Sequence, residues 1–192
     1  MKLVETYLQS DSELLLQEYS VVRSVFDVNT TYDEVSEEGY SFDDRFVEKP
    51  LSSKRQKNYD EIELPISWAK QWDLRNWLMI RSYIDSEYIG GCLVAHDTDG
   101  VDMLEGGTDI SVLWDIRVSK NHRNCGVGTA LFKGALDYSK KKGCTLMKIE
   151  TQNNNVGACN FYRKQGCMLL SIKKNCYPEF PDEIQLIWGA TI

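Results

Sequence analysis

A glycine-containing turn follows an apolar strand at residues 114–128, which read WDIRVSKNHRNCGVG. Apolar side chains recur with period two over Ile110–Val118, which predicts the strand, and an amphipathic helix follows the turn. Glycines let the backbone approach a bulky anion, and the first turn of a helix carries unpaired N–H groups with a partial positive charge. The sequence therefore predicts a pyrophosphate cradle, although a tight strand-to-helix connection without a ligand would use the same residue types.

The spacing of this turn separates it from other phosphate sites. It reads Arg123-x-x-Gly126-x-Gly128, whereas dinucleotide-binding folds use G-x-G-x-x-G and phosphate loops use G-x-x-x-x-G-K-[ST]. After a further helix and strand, a second pattern runs from Asn155 to Gly166 and reads NVGACNFYRKQG. Two ordered patterns, each in a defined structural context, carry more information than one glycine turn.

The elements around these patterns alternate between strands and helices, which predicts a mixed α/β sheet. The helix after the turn ends in three lysines and Gly143, as suits the C-terminus of a helix dipole. A hairpin is expected at residues 85–87, with a bulge at Gly90 and Gly91. Strands are predicted at residues 77–84, 88–95, 110–118, 145–150, 167–173 and 183–190, and helices at 12–23, 126–142 and 155–165.

The N-terminal third has a different character. Ser10 or Asp11 can cap the helix at residues 12–23. Residues 27–48 then hold eight acidic side chains against one arginine, with aromatic rings interleaved. Such a segment is either a solvated, partly disordered loop or an acidic, aromatic-lined wall for a polycation, and its rings favour some ordering. The four rings are Tyr32, Tyr40, Phe42 and Phe46.

The connection from this acidic segment to the sheet carries weak patterns. Residues 49–58 are predicted as a loop, and residues 59–67 as a short strand broken by Pro65. A turn or helical turn is expected at 68–75, and a loop at 97–109.

Length and charge bound the class of protein. At 192 residues, with 42% apolar side chains, the chain can bury one sizeable core. We expect one domain over residues 1–192, with an N-terminal helix and acidic variable region at 1–60 and the core at 61–192. The 29 acidic against 22 basic side chains argue against a nucleic-acid partner, because nucleic-acid binders neutralise phosphates with clustered lysine and arginine. The same balance favours a cationic ligand.

The six cysteines include no C-x-x-C pair, and neither histidine has zinc-ligand spacing, so we expect no metal and mostly structural, reduced thiols. The first residues lack the basic and apolar regions of a signal peptide. No run approaches the ~20 apolar residues that span a bilayer. We therefore expect a cytoplasmic protein without a membrane partner. The sequence leaves open whether it forms a homodimer.

The two patterns together resemble a known family. R-x-x-G-x-G after a strand, followed by N-x-x-A-x-x-F-Y-x-x-x-G, is similar to the two signature motifs of the GNAT family of acetyl-CoA-dependent N-acetyltransferases, and the similarity covers about residues 77–188. The resemblance implies a twisted mixed sheet of about six to seven strands flanked by helices. The strands at 110–118 and 145–151 would splay apart and form a V-shaped cleft for acetyl-CoA.

The resemblance also implies cofactor-binding residues. Main-chain groups of Ile116, Arg117 and Val118 would pair with the pantetheine arm, and the Val118 N–H would polarise the thioester carbonyl. Asn155 matches the position that bonds the cofactor arm. The amides that would hold the pyrophosphate belong to Arg123, Asn124, Cys125, Gly126, Val127, Gly128 and Thr129.

Tyr162 matches the family position from which a phenol commonly protonates the departing CoA thiolate. The same match implies that Tyr162 is also a cofactor-binding residue. A phenol with an ordinary pKa of about 10 can donate to a thiolate of similar basicity. Packing beside Phe161 on an amphipathic helix is the alternative role for this ring.

The attacking amine must be neutral, so the reaction needs a base or another exit for the proton, and Asp115 and Glu150 are the candidates. Asp115 alternates with Trp114 and Ile116 along its strand, so we expect it to face away from the residues on which they pack. An ion pair with Arg117 or with a neighbouring strand is the alternative role for Asp115.

Within the family, the segments WDIRVSKNHRNCGVGTAL and IETQNNNVGACNFYRKQGC resemble those of streptothricin acetyltransferases, which acetylate an amino group on the β-lysine part of a cationic antibiotic. The resemblance implies resistance by inactivation of such an antibiotic, with the amine attacking the thioester directly. A protein or peptide amine and a polyamine are alternative substrates, because family members share these motifs while acylating different amines. A non-catalytic acyl-CoA-binding module is the alternative from another class.

Overall fold

The computed structural model describes residues 1–9, 12–39 and 41–192. The predicted helix cap at Ser10 or Asp11 and the predicted ordering role of Tyr40 lie outside the described residues. Contacts divide the chain into two compact units, the first comprising Met1–Ser24, Asn58–Lys148 and Ile192, and the second Val25–Lys57 and Ile149–Thr191. The single domain expected from the chain length stays a prediction.

The chain forms nine strands and five helices in the described residues. The strands are β1 (Lys2–Tyr7), β2 (Val25–Glu34), β3 (Phe46–Asn58), β4 (Leu78–Ile84), β5 (Glu87–His96), β6 (Ile110–Val118), β7 (Leu146–Gln152), β8 (Met168–Lys173) and β9 (Gln185–Thr191). The helices are α1 (Glu13–Tyr19), α2 (Phe42–Arg45), α3 (Trp68–Gln71), α4 (Val127–Lys141) and α5 (Val156–Lys164).

Seven strands form a mixed sheet in the order β1-β4-β5-β6-β7-β9-β8, and β2 pairs separately with β3. Strand β7 begins in the first unit and ends in the second, since the division falls between Lys148 and Ile149. Strands β1, β4, β5 and β6 are antiparallel neighbours. The mixed α/β fold with about six to seven strands is therefore confirmed.

The core of the first unit forms between helix α1, the segment around α3 and the face of strands β4, β5 and β6. Three of its largest side chains, Tyr19, Trp77 and Leu93, are fully buried. Each such side chain contributes about 1.5–3 kcal/mol by leaving water. Helix α4 packs on the sheet so closely that a Cβ on Gly134 would meet Ile80 Cδ1 at 2.9 Å.

The hairpin between β4 and β5 turns through Asp85 and Ser86, whose φ angles are 48° and 70°, as a two-residue turn that matches the sheet twist requires. Ser82 opposes Gly90 and Tyr83 opposes Tyr88, so the extra residue of the bulge is Ile89, directly before the predicted pair of glycines. Gly90 is needed for close approach, because a Cβ there would lie 2.5 Å from the carbonyl oxygen of Arg117.

The helix ends follow the sequence patterns. Helix α4 starts after Gly126, whose φ is 83°, and Gly143 follows its end with a φ of 81°. Asn155 caps α5 by accepting from the amide of Ala158 at 3.2 Å, and Gly166 follows with a φ of 81°. No helix in the described part of the chain is both long and apolar enough to cross a membrane.

The predicted loop at residues 49–58 is wrong, because these residues belong to strand β3. Most side chains of β3 are exposed, so no apolar alternation marks the strand, and its pairing with β2 defines it instead. A disordered loop at 27–48 is also wrong, because this segment forms β2, α2 and the start of β3. Strand β1 was not predicted.

The predicted strand at residues 59–67 is wrong, and two 3₁₀ turns replace it at Tyr59–Glu61 and Pro65–Ser67. Asn58 caps the first by accepting from the amide of Asp60. The helix expected at 12–23 is shorter and spans α1 only. The helical turn expected at 68–75 is confirmed by α3 and a 3₁₀ turn at Leu74–Asn76. A further such turn, Asp102–Leu104, lies in the loop at 97–109.

Candidate active site

Strand β6 contains a bulge at Trp114. Leu93 of β5 opposes Asp115, while Val94 opposes Leu113, so Trp114 is the extra residue. Trp114 packs on the core cluster that contains Leu93, the residue directly opposite Asp115. Because directly opposite residues share a face of the sheet, the expectation that Asp115 faces away from the residues on which Trp114 packs is wrong. The bulge interrupts the period-two alternation from which that expectation came.

An aromatic cluster surrounds Trp114. Its ring centroid lies 4.7 Å from that of Trp72, 5.1 Å from Trp77 and 6.2 Å from Trp68. Trp114 and Trp72 are half-buried, whereas Trp68 and Trp77 are buried. The bulged residue is therefore held by three rings from the segment before β4.

The side chain of Arg117 is buried in an ion-pair network. Its Nε donates to Asp115 Oδ2 at 2.8 Å, and its Nη2 bonds the same oxygen. Its Nη1 donates to Asp60 Oδ1 at 3.0 Å and to the carbonyl of Val22 at 3.1 Å. The guanidinium also lies 4.8 Å from the ring centroid of Tyr19. Burial alone would lower the pKa of Arg117, but the surrounding groups together outweigh burial and raise this pKa, with the charge of Asp115 foremost among them. Asp115 is thus an ion-pair partner of Arg117.

Asp60 is the buried centre of the same network. Besides Arg117, it accepts from Arg23 Nε at 2.7 Å and from the amide of Ser24 at 3.0 Å. Burial by itself raises the pKa of Asp60, but these hydrogen bonds and the charge of Arg117 lower it below the usual range. The carboxylate is therefore held in its charged form.

The turn between β6 and α4 has the features of an anion site. Arg123, Asn124, Cys125 and Gly126 are exposed. Asn124 and Gly126 have φ angles of 62° and 83°, and Arg123 Nε donates to the carbonyl of Val118 at 3.1 Å. The first turn of α4 has no side-chain cap and no acidic residue. These main-chain groups fit a pyrophosphate.

The other residues predicted at the cofactor site are less exposed. Val127 is buried, and Gly128, Thr129, Ile116 and Val118 are half-buried. Asn155 uses its Oδ1 to cap α5. Tyr162 of α5 is buried, and its ring contacts Phe161 edge to face with the centroids 5.3 Å apart. The contacts with the cofactor stay a prediction for all of these residues.

Glu150 of β7 lies in a cluster of neutral donors within the second unit. Tyr177 donates its hydroxyl to Glu150 Oε1 at 2.6 Å, and Gln185 Nε2 donates to Oε2 at 2.9 Å. Gln152 Nε2 donates to the Tyr177 oxygen at 2.9 Å. Among the residues described, no lysine, arginine or histidine forms an ion pair with Glu150. The two candidate bases therefore differ in electrostatic surroundings.

The acids of residues 27–48 are largely engaged within the second unit. Glu34 pairs with Arg45 and with Lys174. Burial alone would raise the pKa of Glu34, but hydrogen bonds from these two cations lower it. Further contacts join Asp33 to Lys49, Asp43 to Arg163, Asp44 to Ser41 and Glu48 to Thr30.

Several residues of these networks were not found from the sequence. Asp60 lies in the 3₁₀ turn at Tyr59–Glu61, which carries no motif. Tyr177 lies between two predicted strands, and Gln185 lies in the strand predicted at 183–190, but no pattern marked either residue as functional. Their partners lie 57, 27 and 35 positions away in the chain. By contrast, Trp114, Asp115 and Arg117 lie in the stretch at 114–128 that the sequence patterns singled out, and Glu150 was a predicted candidate base.

Comparisons with known proteins agree with this architecture. The sequence model of the acetyltransferase (GNAT) family matches residues 39–167. Streptothricin acetyltransferase A of Bacillus subtilis (strain 168) is 27% identical over 145 residues, which cover 74% of this chain and 77% of that relative.

Two solved structures share the fold. A proposed streptothricin acetyltransferase from Bacillus anthracis str. Ames, in complex with acetyl coenzyme A, has a TM-score of 0.74 at 22% identity and matches 100% of this chain and 99% of its own. A nourseothricin acetyltransferase has a TM-score of 0.70 at 18% identity, with 100% and 99% covered. Since the family model covers more than half of the chain, this protein belongs to the acetyltransferase (GNAT) family.

Proposed function

We propose that this protein transfers the acetyl group of acetyl-CoA to a primary amine of a cationic small molecule of the streptothricin type, and so inactivates it. The observation that carries the cofactor assignment is the exposed, acid-free start of α4 directly after β6. The relative of Bacillus subtilis supports the substrate class. The net charge of −7 is compatible with a cationic acceptor.

Acetyl-CoA would supply an acetyl thioester. The main-chain groups of Ile116, Arg117 and Val118 would align its pantetheine arm, and the amides of residues 123–129 would hold its pyrophosphate. The buried side chain of Arg117 supports this role, because its bonds to Asp60 and Asp115 restrain the strand that offers those main-chain groups. Tyr162 would give its hydroxyl proton to the departing sulfur while the amine nitrogen forms the new bond.

Of the two candidate bases, the surroundings favour Glu150. The Asp115 carboxylate neutralises Arg117, and accepting a proton would leave a buried guanidinium with one charged partner fewer. Glu150 has only neutral donors among the described residues. Protonation of Glu150 therefore breaks no ion pair. Asp115 would support the reaction by fixing Arg117.

Acetyl-CoA is expected to raise the unfolding temperature of the protein, because a ligand that binds only the folded state stabilises it by mass action. At an acetyl-CoA concentration of about a hundred times its dissociation constant, the free energy of unfolding should increase by about 2.7 kcal/mol. Thermal unfolding monitored at increasing acetyl-CoA concentrations measures it. No shift at saturation would overturn the cofactor assignment.

Replacing Gly126 with alanine is expected to weaken acetyl-CoA binding, because this residue has a φ of 83° at the start of α4. Gly143→Ala provides a matched control at the other end of the helix. Gly143 has a φ of 81°, and a Cβ on either glycine would have nothing within 4 Å, so each variant carries a similar strain of about 1–2 kcal/mol. Calorimetric titration with acetyl-CoA should show a lower affinity for Gly126→Ala than for Gly143→Ala. Equal affinities of the two variants for acetyl-CoA would show that the turn at Gly126 is not part of the cofactor site.

A screen for CoA release tests the substrate class. The purified protein is assayed with streptothricin, spermidine, an aminoglycoside and peptides with a free N-terminus. Turnover of streptothricin well above the others supports the proposal. Preference for a peptide or for spermidine would instead assign a protein or polyamine acceptor, and binding of acetyl-CoA without any release would indicate a non-catalytic module.

Neutralising Glu37 and Glu38 together as glutamines is expected to raise KM for a cationic amine about 2- to 5-fold at low salt, if the acidic segment attracts the substrate. Glu37 and Glu38 are chosen because they are exposed. Glu37 lies 3.9 Å from Lys174, whereas Glu34 and Asp43 form closer ion pairs with Arg45 and Arg163, and Asp44 caps α2 with Ser41. The increase should disappear at high ionic strength. An unchanged KM at low salt would show that Glu37 and Glu38 do not attract the substrate and would leave the acidic segment with a structural role.

A further inference from the structure

The face of β7 that carries Glu150 points away from the core of the second unit. Thr151, the next residue, is buried, and its Oγ1 accepts from the indole N–H of Trp188 at 2.8 Å. Because neighbouring residues of a strand alternate between faces, Glu150 and Gln152 share the opposite face. Both are half-buried and therefore reachable from solvent.

The two oxygens of Glu150 are oriented separately. Tyr177 donates to Oε1 at 2.6 Å, and Gln185 donates to Oε2 at 2.9 Å. Each carboxylate oxygen can accept two hydrogen bonds. The donors thus fix the plane of the carboxylate. Oε1 also accepts a longer bond from Gln152 Nε2 at 3.5 Å, whereas Oε2 retains the capacity for a further donor.

The direction of the Tyr177 hydroxyl is itself determined. Gln152 Nε2 donates to the Tyr177 oxygen at 2.9 Å, so the hydroxyl hydrogen is directed to Glu150. Burial, followed by the hydrogen bond with Glu150, raises the pKa of Tyr177 well above its usual range. The phenol therefore remains a donor at every pH at which the protein would work.

The charge of this cluster is uncompensated. Phenol and amide donors orient a carboxylate without neutralising it, and the described residues place no cation on Glu150. Asp115, by contrast, is neutralised by Arg117. A half-buried carboxylate with neutral partners attracts a cation more strongly than one in bulk water.

We propose that Tyr177 and Gln185 are positioning residues that hold Glu150 to bind the primary ammonium group of the acceptor. This inference rests on the proposed function, because it names the group of the substrate that the protein recognises. One ammonium N–H would donate to a Glu150 oxygen. Transfer of that proton would leave a neutral carboxyl group and an amine with a free lone pair, so charge and atoms balance.

Binding of streptothricin and of spermidine, measured by calorimetry on the full chain with CoA present, tests this inference independently of turnover. Tyr177→Phe should weaken binding of the amine about tenfold, because it removes a hydrogen bond to a charged group. Gln185→Met should act in the same direction, and it keeps the test possible if the first variant does not fold. Affinity for CoA should stay unchanged in both.

Tyr138→Phe is the matched control. Tyr138 is a buried phenol that donates to the carbonyl of Asn76 at 2.8 Å, and it has no proposed role in binding. It should bind both amines like the wild type. Kinetics on an amine that turns over should show a higher KM and nearly unchanged kcat for Tyr177→Phe, which a general loss of stability would not produce.

The outcomes separate the two proposals. Equal amine affinities for Tyr177→Phe, Gln185→Met and Tyr138→Phe would overturn the inference, as would failure of both amines to bind the wild type. Amine binding that depends on Tyr177, without any release of CoA from acetyl-CoA, would support the ammonium site and overturn the proposed catalytic function.

Discussion

Replacing Tyr162 with phenylalanine is expected to lower kcat by about 10²–10⁴-fold while leaving the dissociation constant of acetyl-CoA nearly unchanged. The substitution removes only the hydroxyl that would protonate the departing thiolate. The ring, which is buried on α5 and contacts Phe161, is retained. Steady-state kinetics together with calorimetric titration of acetyl-CoA would separate loss of proton transfer from loss of binding.

Tyr32→Phe is a suitable control for this variant. Tyr32 is also buried, and its hydroxyl donates to Asn160 Oδ1 of α5 at 2.9 Å. The control therefore removes a phenol hydroxyl that contacts the same helix but has no proposed chemical role. Turnover by Tyr162→Phe equal to that of Tyr32→Phe would exclude Tyr162 as the acid and leave it a packing residue.

Replacing Asp60 with asparagine is expected to lower the free energy of unfolding by about 3 kcal/mol near neutral pH. Asp60 accepts hydrogen bonds from Arg23, Ser24 and Arg117. Its loss leaves the buried guanidinium of Arg117 with Asp115 as its only charged partner in the network. Urea unfolding of both proteins at a series of pH values measures the difference.

The same measurement has a defined pH dependence. Burial raises the pKa of Asp60, but the hydrogen bonds from Arg23 and Ser24 and the charge of Arg117 lower it below its usual value of 3.8. A group whose folded-state pKa is lowered stabilises the fold above its unfolded-state pKa. The stabilisation is lost as the pH falls through the folded-state value. The difference between wild type and variant should therefore be constant above about pH 5 and decrease below about pH 4.

Asp73→Asn serves as the control for this experiment. Asp73 also bonds an arginine, Arg75, but both side chains are mostly exposed, so little change is expected. If Asp60→Asn lowers the free energy of unfolding no more than Asp73→Asn does, the assigned network of Asp60 is contradicted. If the difference in unfolding free energy between wild type and Asp60→Asn persists unchanged at low pH, the destabilisation arises from altered packing and hydrogen bonding and not from loss of the Asp60 charge.

The network also bears on activity. Arg117 belongs to the strand proposed to align the pantetheine arm, and its side chain is bonded to residues that precede β2 and follow β3. Loss of Asp60 should therefore impair acetyl-CoA binding as well as stability. The buried bond between Arg117 and Asp60 thus restrains a residue of β6 through a partner that lies 57 positions away in the sequence.

Local sequence patterns determined the elements that carry the family motifs. The period-two apolar pattern identified β6, and Gly126, Gly143, Asn155 and Gly166 marked the ends of α4 and α5. These features depend on residues adjacent in the chain, because a cap or a left-handed turn is made by the residue that occupies it. For that reason the motifs, the family and the fold class could be read from the sequence alone.

Only the tertiary structure decided the features that arise from pairing between distant segments. Strand β3 exists because β2 pairs with it, the bulge at Trp114 depends on the register with β5, and Asp115 became an ion-pair partner because the side chain of Arg117 is buried beside it. The cluster of Glu150, Tyr177 and Gln185 likewise joins three separate parts of the chain. Hydrogen bonds and ion pairs between such segments have no local periodicity, so they cannot be read from the sequence. The sequence therefore named Asp115 and Glu150 as candidate bases, and only the fold showed that their surroundings differ.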